Sequence, residues 1–223
     1  MIHDFHTHTS LSDGSLSPLE VIRRAVAAGY ASIALTDHAS TGDMQRIVPE
    51  LVQACQLARD YWTILAIPGI ELTHVPARAI GTYAQKAKEL GAWLVIVHGE
   101  TIVEPVEPGT DLAAVNSPFV DILAHPGLIT AEEARTAAEK GVFLEISARQ
   151  GHSLTNGHVA RLGLKAGARM IVNSDAHDVG DFLTESFANA VAHGAGMDDA
   201  ASLEMLGANP RVLLNKIMTR YTV

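Results

Sequence analysis

The chain is poor in cysteine and in charged residues, and both scarcities exclude classes of protein. A single cysteine, Cys55, among 223 residues excludes an internal disulfide framework and fits a reducing cytoplasm. Because Cys55 falls within an apolar helical run, we interpret it as a core residue rather than a nucleophile. Charged residues make up 18% of the chain and hydrophobic residues 48%. This balance argues against disorder and predicts a folded globular core.

Aromatic residues are equally scarce, at 5% of the chain, and the formal net charge is −9. Proteins that hold long nucleic acids neutralise the phosphates with basic surfaces and stack bases on aromatic rings. We therefore expect no long nucleic acid among the partners. A nucleotide bound through a metal ion is compatible with this charge, because a bound cation can dominate the local field.

Long hydrophobic runs are missing as well. No apolar stretch approaches the ~20 residues that a membrane helix requires. The N-terminus becomes polar within three residues, so the sequence shows no signal peptide. These features predict a cytoplasmic protein with no membrane partner, and they do not indicate an oligomeric state.

Short apolar runs alternate with longer amphipathic segments, which predicts parallel βαβ units. Helix boundaries carry recognisable caps, for example Ser17 before Pro18 at one start and Gly29 at the corresponding end. No strand is followed by Gly-x-Gly-x-x-Gly, so a dinucleotide-binding fold has no support. Strands of near-continuous apolar character predict closure into one α/β barrel domain over residues 1–223. The seven predicted strands cover residues 2–6, 31–36, 64–70, 92–97, 120–124, 142–146 and 169–172.

Histidines and carboxylates stand at the ends of almost all of these strands. His6 and His8 close the first strand, and both imidazoles point the same way because side chains alternate along an extended segment. In a parallel barrel the carboxyl ends of the strands open on one face, where such folds carry their chemistry. Polar groups packed there lose solvation unless they are paired or coordinated. The nine candidates are His6, His8, Asp13, His38, Glu71, His98, His125, Asp175 and His177.

Nine such residues can hold two or three divalent metal ions and leave positions open for water. Zinc, manganese and iron share imidazole and carboxylate ligands, so the residue types leave the identity of the metal open. A carboxylate such as Glu71 can bridge two ions. The residues alone predict a multinuclear hydrolytic site. Surface histidines at loop starts, the alternative interpretation, would account for one or two of these positions but not for the set.

The order of the motifs resembles a known family. His-x-His, Ser-Asp-Gly, Thr-Asp-His, Gly-Ile-Glu, Ala-His-Pro-Gly and Ser-Asp-Ala-His follow one another from His6 to His177, as in the PHP (polymerase and histidinol phosphatase) superfamily. The resemblance implies a distorted (β/α)7 TIM-like barrel, a trinuclear metal centre and phosphoesterase activity. By motif position it implies three ligand groups: His6, His8, Glu71 and Asp175; Glu71, His98 and His125; and Asp13, His38 and His177.

The resemblance implies that the substrate is a phosphate ester. We expect Glu71 to bridge two metal ions and a hydroxide held between the ions to attack the phosphorus. Arg149 is the candidate phosphate clamp, because a planar guanidinium matches phosphate oxygens. Its alternative is a surface arginine paired with an acid. His152, three residues further on, is the candidate proton donor to the leaving group, and a solvated loop histidine is its alternative.

Three further positions carry weaker expectations. Glu145, on the sixth strand, is predicted either to orient a ligand or to pair with Arg149. Asp37 precedes a predicted ligand and should point away from it, which favours structural hydrogen bonding. The acidic segment 104–108 is predicted to be a rigid solvated loop that can rim the pocket.

Three functions are consistent with these residues. The leading hypothesis is a phosphatase that acts on a small phosphomonoester, such as histidinol phosphate or a nucleotide. The second is a 3′-5′ exonuclease or phosphodiesterase on short oligonucleotides, since related PHP modules accompany DNA polymerases. The third is a non-catalytic barrel subunit of a nucleic-acid-processing assembly. The complete ligand set argues against the third, because a scaffold has no need of it.

Overall fold

Parallel strands rolled into a nearly closed barrel form the centre of the computed structural model, which describes residues 1–221. The strands are β1 (Ile2–Asp4), β2 (Tyr30–Leu35), β3 (His38–Ala39), β4 (Leu65–Leu72), β5 (Leu94–His98), β6 (Ile122–Ala124), β7 (Phe143–Ser147) and β8 (Met170–Asn173). Their order is β1-β2-β4-β5-β6-β7-β8, and the short β3 extends the pairing with β4 beyond the end of β2. Every pairing is parallel.

The barrel closes between its first and last strands, just beyond their carboxyl ends. A parallel bridge joins Thr7 to Ala176, and the His8 N–H donates to the Ala176 carbonyl at 2.8 Å. The predicted distorted (β/α)7 TIM-like barrel is confirmed. Its first strand ends earlier than predicted, because the backbone after Asp4 turns from sheet pairing to this closing contact.

Alternation along the strands divides the buried side chains between two cores. Phe5, Ala34 and Phe143 belong to a cluster inside the barrel, together with Leu213 and Ile217 from the last helix. The residues between them in the strands pack outward against the surrounding helices in a second, larger cluster. This separation follows from the two-residue period of a strand and explains why the strands read as continuous apolar runs.

The α-helices are α1 (Pro18–Ala27), α2 (Met44–Tyr61), α3 (Ile80–Glu89), α4 (Thr110–Asn116), α5 (Ala131–Lys140), α6 (Asn156–Ala166), α7 (Glu185–Gly194), α8 (Asp199–Leu203) and α9 (Asn209–Arg220). The predicted caps are found in part: Ser17 precedes α1 but makes no capping side-chain bond, whereas α5 is capped at both ends. At α5 the Thr130 side chain accepts from the Glu133 N–H, Glu133 returns the bond, and Gly141 ends the helix at φ 69°. Cys55 is buried within α2, as predicted.

Helix α4 has no counterpart among the predicted elements. Its seven residues are too few to show a helical hydrophobic period, so no periodic pattern predicts this helix. Among residues 1–221, no helix is both long and apolar enough to cross a membrane.

Candidate metal centre

The carboxyl ends of the strands surround a cleft of about 570 Å³, whose lining includes Asp13, His38, Glu104, Arg149 and His152. His6 and His8 are buried next to Asp175, one of the lining residues, and they share one side of the extended segment that follows β1. His6 Nε2 lies 3.4 Å from Glu71 Oε1, and His8 Nε2 lies 3.2 Å from Asp175 Oδ1. Residues from the first, middle and last strands therefore meet at one point.

All nine predicted ligands come together at this face. They fall into groups whose donor atoms lie within 4.8 Å of one another, the spacing that a shared ion requires. The groups are His8, Asp13, His38 and His177; His6, His8 and Asp175; His6, Glu71 and His125; and His98, His125 and His152. We did not predict that His152 would belong to one of these groups. That the nine residues bind metal ions stays a prediction.

Several donor atoms at the centre have no partner. His6 Nε2, His8 Nε2 and Glu71 Oε1 are buried and accept or donate no hydrogen bond, a costly state for polar atoms. Ligands of a tetrahedral ion held at 2.0–2.1 Å stand about 3.3 Å apart, and the distances among these atoms are close to that value. Imidazole nitrogens with carboxylate oxygens form a donor set that suits divalent ions, so the residues present fit the metal centre that the resemblance implies.

The centre is electrostatically coupled throughout. Burial opposes protonation of His6, but the carboxylates of Glu145, Asp175 and Glu71 outweigh burial and raise its pKa well above the ordinary value. Burial likewise opposes ionisation of Glu71, yet His38 and His6 hold its pKa well below the ordinary value. In the absence of ions, a proton on His6 therefore offsets part of the buried negative charge, whereas burial and the neighbouring imidazoles hold the pKa of His8 well below its ordinary value. Divalent ions would neutralise the carboxylates in place of that proton.

The backbone is strained at two of the predicted ligands. His125 has φ 25° and Asp175 has φ 54°, in the left-handed region that costs a side-chain-bearing residue about 1–3 kcal/mol. His125 directly follows β6 and Asp175 is the second residue after β8, where the chain must leave the barrel and still direct a side chain into the cleft. Such strain is typical of functional sites.

Hydrogen bonds from a second layer of residues fix the orientation of the predicted ligands. Glu145 Oε2 accepts from His6 Nδ1 at 2.8 Å and from Asn173 Nδ2 at 2.9 Å. Of the two roles predicted for Glu145, the structure shows the contact with a predicted ligand, His6. Asp37 accepts bonds from Thr9 and Ser12, so its predicted structural role is confirmed.

Arg149 reaches the cleft from the loop after β7. Its Nη1 donates to the Asp175 carbonyl at 3.0 Å and lies 2.7 Å from His177 Nδ1. The guanidinium, 32% exposed, thus borders two predicted ligands and is open to a bound anion. Its predicted role as a phosphate clamp stays a prediction. Arg78, a second arginine near Glu71 in sequence, is exposed on the turn Ala77–Ala79.

His152 is buried rather than solvated, contrary to the alternative considered for it. Its Nδ1 pairs with Thr101 Oγ1 at 2.8 Å, and its ring stacks on His125 with centroids 4.0 Å apart. Burial and the neighbouring imidazoles of His125 and His98 lower the pKa of His152 to about 3. The ring is neutral near pH 7, the form that binds metal ions.

The sequence did not identify Glu104 as part of the site. Of the segment 104–108, which was predicted to rim the pocket, Glu104 lines the cleft, and its carboxylate lies 3.0 Å from His98 Nε2. A carboxylate six residues after a predicted ligand was the available signal. Nothing in the sequence fixed the loop conformation that brings it back.

A family model described as PHP domain matches residues 4–188. The chain belongs to the PHP domain family. An uncharacterised protein of Methanocaldococcus jannaschii is 43% identical over 218 residues, which cover 97% of this chain and all of the relative, 100%. A 3′,5′-nucleoside bisphosphate phosphatase of Chromobacterium violaceum is 54% identical over 41 residues, 18% of this chain and 14% of the relative.

A solved structure can be aligned with nearly the whole chain. Histidinol phosphate phosphatase from Lactococcus lactis, complexed with zinc, L-histidinol and phosphate, aligns with a TM-score of 0.56 at 17% identity. The alignment covers 96% of this chain and 92% of that chain. At this identity the likeness shows the fold alone. The resemblance seen in the motifs is confirmed by the family match and agrees with the shared fold.

Proposed function

We propose that this PHP domain hydrolyses small phosphomonoesters at a centre of two or three divalent metal ions. The observation that carries the proposal is the set of buried donor atoms without partners, His6 Nε2, His8 Nε2 and Glu71 Oε1. They lie beside Arg149, whose side chain is partly exposed in the open cleft. Ions bound there would lower the pKa of water and neutralise charge on phosphate oxygens. Two of the proteins to which the chain is similar are phosphatases, which supports a phosphate ester as the substrate.

Three ligand groups follow from the geometry and the resemblance together. His6, His8 and Asp175 form the first, with Glu71 reaching toward it; His98 and His125 form the second, with Glu71 Oε1 3.5 Å from His125 Nε2; Asp13, His38 and His177 form the third. Glu71 lies near His6 of the first group, His125 of the second and His38 of the third. Asp175 also approaches His125 and His177, and the resemblance assigns the bridging role to Glu71, so the Glu71 carboxylate is the proposed bridge. Zinc, manganese and iron all suit these ligands.

Arg149 has two tasks in this proposal. Its Nη1 donates to the Asp175 carbonyl and lies beside the Nδ1 of His177, which holds the guanidinium at the edge of the ligand groups. The Arg149 side chain lines the cleft and is 32% exposed, so its guanidinium can bind oxygens of a phosphate group in a planar fork. The clamp therefore positions phosphorus beside the ligand groups without an additional cation from another part of the molecule.

Hydrolysis assays on metal-reconstituted protein test this proposal. One substrate set contains small phosphomonoesters, including histidinol phosphate and nucleoside monophosphates, and the other contains short 3′-labelled oligonucleotides. Glu71→Gln is the blank and should lower kcat by at least about 100-fold, since the bridging charge is lost. Glu89→Gln is the matched control. Glu89 lies on the surface at the end of α3, and its side chain accepts a hydrogen bond from Gln85.

Turnover of phosphomonoesters that disappears in Glu71→Gln and persists in Glu89→Gln supports the proposal. Cleavage of oligonucleotides alone would favour the nuclease hypothesis. Metal-loaded protein that is inactive on both sets would favour the non-catalytic hypothesis. Protein that binds fewer than two ions would overturn the metal centre itself.

A further inference from the structure

A loop carboxylate reaches the metal centre beside the nine predicted ligands. Glu104 lies between β5 and α4, and its Oε2 is 3.0 Å from His98 Nε2. Its Oε1 is 3.6 Å from His152 Nε2. These two histidines and His125 have donor atoms within 4.8 Å of one another, and we call the three the second subsite. The carboxylate of Glu104 is thus directed at the ring nitrogens of two of its members.

The loop that carries Glu104 is closed and firmly placed. The Glu100 N–H donates to Asp111 Oδ1 at 2.8 Å, and Glu100 Oε1 accepts from the N–H groups of Gly109 and Asp111 at 2.8 and 3.1 Å. On its inner side the loop packs so closely that a Cβ on Gly127 would lie 2.0 Å from the Glu100 carbonyl oxygen. These contacts fix both ends of the loop and so limit where Glu104 can lie over the cleft.

The same loop orients the unexpected histidine of the second subsite. Thr101 Oγ1 binds His152 Nδ1 at 2.8 Å, which leaves Nε2 directed at the cleft. A histidine that ligates a metal typically holds its other ring nitrogen in such a bond. The spacings of 3.0 and 3.6 Å from the Glu104 oxygens bracket the ~3.3 Å between ligands of a tetrahedral ion. Orientation and spacing together suit ligation by both residues.

Glu104 differs from the rest of the second subsite in its exposure. The His98 and His152 side chains are each 4% exposed, whereas the Glu104 side chain is 46% exposed. The carboxylate sits on the solvent side of the subsite, where a phosphate group would approach. Replacing a carboxylate with a phosphate oxygen exchanges one anionic oxygen ligand for another, so the charge around the ion is largely conserved.

We propose that His152 and Glu104 both bind the metal ion of the second subsite. Glu104 is an exchangeable ligand, which a phosphate group of the substrate displaces. This inference rests on the proposed function, since it needs a metal centre at this face. It assigns His152 to metal binding in place of the proton donation predicted from the sequence. It also gives the acidic loop a purpose: Glu104 retains the ion between turnovers and competes with the anion that replaces it.

Metal titration in the absence of substrate tests ligation. Apo-protein is titrated with Mn²⁺ and separately with Zn²⁺ by equilibrium dialysis, for the wild type, Glu104→Gln, His152→Ala and Glu107→Gln. We expect Glu104→Gln and His152→Ala each to weaken one class of ion by about 10-fold or more and to leave the others unchanged. Glu107→Gln removes the same charge from the same loop, where Glu107 binds the Ala77 N–H, and should match the wild type.

Binding of inorganic phosphate tests exchange. The proteins are saturated with metal and titrated with phosphate by isothermal calorimetry. Because phosphate no longer has to displace a carboxylate, we expect Glu104→Gln to bind phosphate several-fold more tightly than the wild type. A residue that only supports the loop would weaken phosphate binding or leave it unchanged. Circular dichroism on each variant confirms that the fold is retained.

Four results would overturn the inference: unchanged metal affinity in Glu104→Gln, unchanged metal affinity in His152→Ala, phosphate binding no tighter in Glu104→Gln, or the same changes in Glu107→Gln. The last would show a general effect of loop charge. Wild-type protein that binds fewer than two ions would overturn the proposed function as well. A wild type that binds its ions and a Glu104→Gln variant that behaves identically would overturn the inference alone.

Discussion

Removal of the charge of Glu145, while its hydrogen bonds are kept, tests how the barrel prepares His6 for a metal ion. Both side chains are 0% exposed, and the Glu145 Oε2 to His6 Nδ1 distance is 2.8 Å. The carboxylate fixes the ring so that Nε2 faces Glu71 at 3.4 Å. It also makes the imidazole more basic and hence a better ligand. In Glu145→Gln the amide oxygen can still accept from His6, so geometry is preserved and basicity falls.

The expected magnitude follows from that distinction. Loss of an orienting partner generally weakens metal binding 10- to 100-fold, which corresponds to about 1.4–2.7 kcal/mol. Because Glu145→Gln keeps the hydrogen bond, we expect a loss near 10-fold for one ion. Glu145→Ala, which removes both charge and bond, should approach 100-fold. The affinity of the first ligand group (His6, His8 and Asp175) for its ion is measured by competition with a chromogenic chelator, at a pH where all variants are folded.

Asp121→Asn is the control for general destabilisation. Asp121 is also fully buried, but it lies at the amino end of β6 and pairs with Lys88, Lys216 and Arg220. Loss of its charge should destabilise the fold, because it leaves three partly buried cations without their common partner, and should leave metal affinity unchanged. Equal metal affinity in Glu145→Gln and the wild type, or equal losses in Glu145→Gln and Asp121→Asn, would refute the reasoning.

Three further predictions follow from the same contacts. Arg149→Ala should lower kcat/KM for a phosphomonoester by about 10- to 100-fold, the equivalent of one charged hydrogen bond, in steady-state assays at saturating metal; an unchanged value contradicts the clamp. Burial raises the pKa of Asp111 to about 8 from 3.8, so the folded state binds its proton more tightly and stability should decrease between about pH 4 and 8, by at most about 1.4 kcal/mol per pH unit. Asp111→Asn should flatten that slope in urea unfolding, and an equal slope counts against it. Gly127→Ala should cost at least about 2 kcal/mol in the same experiment, since φ is 55° and the new Cβ would overlap Glu100; wild-type stability would exclude the close packing.

The arrangement of the predicted ligands could be derived from the sequence because two local rules suffice. Alternation along a strand places His6 and His8 on one side, and a parallel barrel brings all strand ends to one face. His98 ends β5 and His125 directly follows β6, so their meeting follows from topology alone. The resemblance to the PHP family then supplied the chemistry. These rules need only the order of the strands, not the shape of any loop.

The rest of the site depends on contacts between loops, which no local pattern encodes. Glu104 meets His98 because Glu100 and Asp111 close the loop between them, and each of those bonds joins residues eleven apart. His152 is buried because the same loop supplies Thr101 as its partner. Left-handed backbone at His125 and Asp175 carries no signal either, since neither residue is a glycine. Long-range packing decides all of these features.

Charge in the cleft connects the metal centre to the choice of substrate. Asp13, Asp43, Glu104 and Asp175 line the cleft, whereas the lining contains one arginine and no lysine within residues 1–221. A phosphate group approaching the ion-free cleft meets more negative than positive charge, so ions must be present before the anion binds well. By thermodynamic reciprocity the anion then strengthens ion binding by the same factor. An exchangeable carboxylate at Glu104 fits this linkage, because it holds the ion when the anion has left and yields when the next one arrives.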